Sequence, residues 1–174
     1  KHAIIANTNM LFNEYISAYL LKLSNIEFPD FGFVNIDREQ VNEEVIKEFS
    51  GITYRNFSHP LFCVRYLDYA KESDDFITGE NKRKGITNKI VNFDDLARIA
   101  LFDVWMSNED RSLNNNNLLI FPTARNAFKL IPIDHGNVFN SSIINNKMFL
   151  INEDDSIMNS KLFSVFLQKH NKAY

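Results

Sequence analysis

One order of elements between Asn92 and Gly136 constrains this chain more than any other feature. An apolar helix leads into a polar loop, then a short strand, a turn, a second short strand and Asp-X-Gly. Phe93, Leu96, Ala97, Ala100, Leu101, Val104 and Trp105 recur at helical spacing, which predicts a helix ending near Ser107 with these residues in the core. Asn92 stands where a helix cap belongs, with Asp94 and Asp95 at the positive end. Strands are expected from Leu118 to Phe121 and from Phe128 to Ile133, around a turn at Pro122 to Asn126. Gly136 permits a sharp turn after the second strand. Such a hairpin would return Asp134 to the side of Asn115.

That order places oxygen-bearing side chains together. Phosphoryl transfer needs a carboxylate near the acceptor hydroxyl and hard oxygen ligands that hold magnesium against the phosphates. Asp110 and Asn115 lie five residues apart on one loop, the interval between the catalytic Asp and the metal-binding Asn of a kinase catalytic loop. Taken singly, Asp110-Arg111 is an ordinary surface ion pair, Asn114 to Asn117 an ordinary turn, and Asp134-His135-Gly136 a tight turn. Their order and spacing point to the chemistry.

Asn108-Glu109-Asp110-Arg111, then Asn115-Asn116-Asn117-Leu118-Leu119-Ile120, then Ile133-Asp134-His135-Gly136 resembles the HipA-like kinases. The lipid-kinase-like branch of the kinase superfamily has a similar order. The resemblance implies an α+β, protein-kinase-like fold, mainly the helical C-lobe with a reduced N-lobe. It implies one domain over residues 1–174: a partial N-lobe and hinge in 1–70, a flexible loop in 71–91, and a catalytic C-lobe in 92–174. Asp110 would be the catalytic base, with Asn115 and Asp134 as magnesium ligands and Asn117 as the alternative ligand. Glu14, on a helix, would orient the ATP-binding lysine, for which Lys1 is the candidate. Leu61 to Leu67 would be the hinge strand beside the adenine. The implied cofactors are ATP and magnesium. The implied partners are a protein substrate with a Ser or Thr acceptor and an antitoxin-like protein. His135 stands where the familiar Asp-Phe-Gly has Phe. The five glycines (32, 51, 79, 85 and 136) are isolated, so the chain carries no glycine-rich phosphate-covering loop. That departure keeps open a pseudokinase or nucleotide-binding interaction module, and because the catalytic loop does not distinguish acceptors, a small-molecule or lipid kinase stays open as well.

The rest of the sequence is read from its patterning. Leu11, Phe12, Tyr15, Ile16, Tyr19, Leu20 and Leu23 predict a helix from Asn9 to Leu23. A short strand is expected from Phe31 to Ile36, a polar helix from Arg38 to Phe49, and a buried strand from Leu61 to Leu67. Lys71 to Lys89 reads as a loop and Ile157 to His170 as a last helix. Cys63, the single cysteine, reads as a small buried hydrophobe. With 45% hydrophobic residues and 16 Phe, the chain can bury a substantial core. A net charge of -3 without an extended basic stretch argues against nucleic-acid binding. His2, His59 and His170 lack zinc-ligand spacing, and no Ser sits in a nucleophile elbow. Without a long apolar run or a signal-peptide layout, a soluble cytoplasmic setting is expected.

Overall fold

The computed structural model describes residues 8–48, 53–73, 88–113, 115–123, 127–140 and 156–171. In chain order the elements are α1 (Thr8–Leu23), β1 (Phe31–Val34), α2 (Glu43–Glu48), β2 (Leu61–Val64), β3 (Lys71–Glu72), α3 (Asp95–Met106), β4 (Leu118–Thr123), β5 (Ala127–Pro132) and α4 (Lys161–Asn171). The mixture of helices and two small antiparallel sheets is α+β. Among the described residues no helix is long and apolar enough to cross a membrane.

The core lies between α3, the β3-β4-β5 sheet, α4 and the C-terminal half of α1. Leu96, Ile99, Ala100, Phe102 and Met106 of α3 face Leu118, Ile120 and Leu130 of the hairpin, with Leu162 and Phe163 of α4 and Leu21 of α1 closing it. Each fully buried Leu or Ile there contributes roughly 1.5–3 kcal/mol relative to exposure. The β4-β5 register runs from Leu118↔Pro132 to Thr123↔Ala127, so Asn117, just before β4, and Ile133, just before Asp134, lie at the same end. β3 covers the other edge of β4 through Lys71↔Ile120 and Glu72↔Leu119. Helix α4 starts at Ser160, whose Oγ accepts the Phe163 N–H at 3.1 Å.

The expected helix cap at Asn92 takes a different form. Its side chain accepts the Leu130 N–H at 2.8 Å and donates to the Leu130 carbonyl at 2.9 Å, splicing the start of α3 onto β5. A Val91 N–H to Phe128 carbonyl bond at 2.8 Å extends that edge. α3 stops where anticipated: Ser107 is left-handed at φ 49, and the Asn108 N–H returns to the Asp103 carbonyl at 2.9 Å. The polar loop therefore leaves the helix abruptly.

Four expectations need correction. Trp105 and Leu101 are 60% and 70% exposed, because the buried stripe of α3 runs through Leu96, Ile99, Phe102, Asp103 and Met106 instead. The polar helix over 38–49 is split: a 3-10 turn at Arg38–Gln40 ends at extended Val41 before α2 begins. β2 is shorter than expected and only partly covered: Leu61 and Phe62 are half-buried, and its second half is open to solvent. Cys63 is consequently exposed, not buried. Tyr15 of α1 meets Phe31 and Phe33 of the β1-β2 sheet, at centroid separations of 6.1 and 5.1 Å. Of the expected loop over 71–89, residues 74–87 lie outside the described residues.

Candidate functional site around Asp110, Asn115 and Asp134

The loop after α3 is built around the Asp110 carboxylate. Asn115 Nδ2 donates to Asp110 Oδ1 at 3.0 Å and to the Asp110 carbonyl at 3.0 Å. Asn117 Nδ2 donates to Asp110 Oδ2 at 3.1 Å. A carboxylate only accepts, so both amide nitrogens must face it, and both amide oxygens point elsewhere as hard donors. The loop backbone is pinned by Ser112 N–H to the Asn115 carbonyl at 2.8 Å and by Ile133 N–H to the Asn117 carbonyl at 2.9 Å. Asn117 is left-handed at φ 43, a conformation Asn tolerates better than most residues.

Asp134 stands just beyond β5, and the tight backbone position there is its own. Its φ is 58, whereas Gly136 serves close approach. A Cβ on Gly136 would meet Met10 Cε at 3.2 Å and Glu14 Oε1 at 3.6 Å, so glycine lets α1 press onto the turn. Asn13 fastens that contact by donating to the Gly136 and Val138 carbonyls at 2.8 and 3.1 Å.

Glu14 is buried at 6% exposure and faces the same turn. Burial pushes its carboxyl from 4.5 up to about 7. The backbone N–H groups of His135 and Gly136 oppose this rise, Asp134 adds to it, and Arg111 reduces it. Asp134 as a residue is open to solvent, yet its carboxyl is crowded. Partial desolvation and then repulsion from Asp110 lift it above the ordinary carboxylate range, against Arg111 and a hydrogen bond with Glu14. A protonated Glu14 is the donor in that bond.

Arg111 is the hub beneath the site and is fully buried. It pairs with buried Asp103 of α3. Its Nε donates to the Asn116 carbonyl at 2.9 Å, and Nη2 to the Ile133 carbonyl at 2.7 Å and the Asn117 carbonyl at 3.3 Å. Nη2 also meets His135 Nε2 at 3.2 Å. Burial first, then Arg111, keeps His135 neutral by lowering its pKa well below the ordinary value, so Nε2 accepts. The ring packs edge-on against Phe28 and Phe102.

The described residues thus bring Asp110, Asn115, Asn117, Asp134 and Glu14 into one neighbourhood. Lys1 lies outside them. Sequence reasoning placed Arg111 in the loop motif, and as a surface ion pair only when taken singly, and assigned no role to Asp103 or Asn13. A signal for Asp103 was present: it follows Leu96, Ile99 and Ala100 at helical spacing, on the buried stripe. Two neighbouring carboxylates and an amide oxygen suit magnesium, a hard cation that takes few protein oxygens. Among the described residues no group of three or more His, Cys, Asp and Glu is arranged to hold a metal ion.

Comparison with protein-family models matches residues 2–168 to the family described as HipA-like kinase. No curated protein matches the chain.

Proposed function

Because the chain belongs to the HipA-like kinase family, we propose that it is an ATP-dependent phosphotransferase with a protein-kinase-like fold, acting on a Ser or Thr hydroxyl of a protein. The observation that carries this reading is Asp110, gripped at both carboxylate oxygens by Asn115 and Asn117 and close enough to Asp134 to raise its proton affinity. In this reading residues 1–70 are the partial N-lobe and hinge, 71–91 a loop, and 92–174 the catalytic C-lobe. An antitoxin-like partner remains part of the proposal through the family alone.

The mechanism follows from the side chains. Asp110 orients the acceptor hydroxyl and takes its proton as the oxygen bonds to the γ-phosphorus. The bond between that phosphorus and the β-γ bridging oxygen breaks, and ADP leaves. The two amide donors hold the carboxylate in one rotamer, so its free lone pairs face the acceptor. Asn115 and Asp134 would hold magnesium, which when bound offsets charge on the phosphates. Repulsion from Asp110 raises the proton affinity of Asp134, and a cation held at Asp134 would relieve it. Glu14 supports Asp134 from behind, and its part in orienting a lysine belongs to the same reading.

The test is transfer of labelled γ-phosphate to Ser- and Thr-containing proteins in magnesium, with ADP release counted in parallel. Asp110→Asn keeps the shape and loses the base, and should reduce transfer about 10²–10⁴-fold. Equal rates in wild type and Asp110→Asn would refute the assignment. Nucleotide binding without turnover would mark the chain as a pseudokinase.

A further inference from the structure

We propose that Asp103 is a positioning residue: through Arg111 it holds the Asp110–Asn117 loop and the end of β5 in one register. The activity part of this proposal rests on the phosphotransferase reading. The packing part stands on geometry alone.

Asp103 projects from the buried face of α3, and neither its side chain nor that of Arg111 reaches solvent. Charge in such a place needs both a counter-charge and hydrogen bonds. Arg111 and Asn108 supply them on one carboxylate oxygen, with Asn108 Nδ2 at 2.9 Å from Oδ1. The pair does more than neutralise. A guanidinium presents a rigid, planar fork of donors. With Nη1 taken by Asp103, the remaining N–H groups are aimed at the carbonyls of Asn116, Asn117 and Ile133 and at His135. Two of these acceptors sit on the loop that carries Asn115 and Asn117. The other two flank Asp134. One side chain therefore fixes both halves of the site relative to each other, and Asp103 fixes that side chain relative to α3. A lysine could satisfy the charge but could not span these acceptors.

Asp103 does not touch the reacting atoms, so its role must show as loss of alignment at preserved stability. Asp103→Asn leaves Arg111 buried without a counter-charge and is expected to destabilise the fold. The informative variant is Asp103→Leu with Arg111→Met, an apolar pair of similar volume, since such replacements often keep or raise stability. Amide hydrogen exchange is followed in both proteins at Ser112 and Ile133, whose N–H groups bond to Asn115 and Asn117. In wild type these two amides should exchange with the same protection as the amides of α3, as one cooperative unit. In the folded double variant their exchange should speed up at least about tenfold while β4-β5 keeps its protection, and phosphoryl transfer should fall about 100-fold.

Fast, independent exchange of Ser112 and Ile133 in wild type would overturn the proposal, whether or not the double variant folds. A folded double variant with unchanged exchange or unchanged kcat would also overturn it. If exchange behaves as expected but wild type transfers no phosphate, the phosphotransferase reading fails and the structural coupling of the two loops stands.

Discussion

Replacing Glu14 by Gln should flatten the pH dependence of stability. Gln has the shape of a protonated Glu: its amide nitrogen donates to Asp134, and its oxygen accepts from the His135 and Gly136 N–H groups. The folded protein holds the Glu14 proton more tightly than the unfolded chain, with a pKa of about 7 against 4.5. A raised folded pKa means that the contribution is fully present below pH 4.5, falls as pH rises, and is lost above about pH 7. Each tenfold change in proton affinity corresponds to about 1.4 kcal/mol, so Glu14 should account for a loss of about 3 kcal/mol between those limits. Urea unfolding in EDTA from pH 4.5 to 8 measures this, and the difference between wild type and Glu14→Gln isolates Glu14 from the other carboxyls. The two proteins should be closest at pH 4.5, and the variant should be the more stable by about 3 kcal/mol at pH 8. Parallel curves would refute the burial argument for Glu14.

Further outcomes follow from single contacts. Asn92→Ala strands the Leu130 N–H and carbonyl at the start of α3 and should cost about 1–3 kcal/mol, read by chemical denaturation. Leu130→Ala, at a fully buried position of β5, should cost about 2–5 kcal/mol by the same measurement. Trp105, the single tryptophan, should emit at long wavelength and be readily quenched by iodide, and Trp105→Ala should change stability by less than about 1 kcal/mol.

The Asp110–Asn117 loop, the hairpin and the Asp-X-Gly turn were legible because their spacing is local. The stop at Ser107, the β4-β5 pairing and the proximity of Asp110 to Asp134 all follow from patterns within forty-odd residues. What sequence missed depends on partners far along the chain. Asn92 satisfies β5 instead of its own helix, a choice fixed by a bond to Leu130 that no local rule exposes. Trp105 carries a hydrophobic residue's signature but lies off the stripe that Asp103 shares, so hydrophobicity outvoted helical phase. The hydrophobic run from Leu61 to Leu67 suggested burial, yet β2 lies in a two-stranded sheet, half-buried at Leu61 and Phe62 and exposed at Cys63 and Val64. Arg111 illustrates the converse, since a residue type that is nearly always exposed becomes the largest fully buried side chain of the site.

The central claim is a nucleotide site whose metal is held by Asn115 and Asp134. Calorimetric titration of ATP into the protein, with and without magnesium, tests it most directly when repeated on Asp134→Ala. Binding should depend on magnesium in wild type and be lost in the variant, with both proteins folded. ATP binding that ignores magnesium, or that survives Asp134→Ala unchanged, would contradict it.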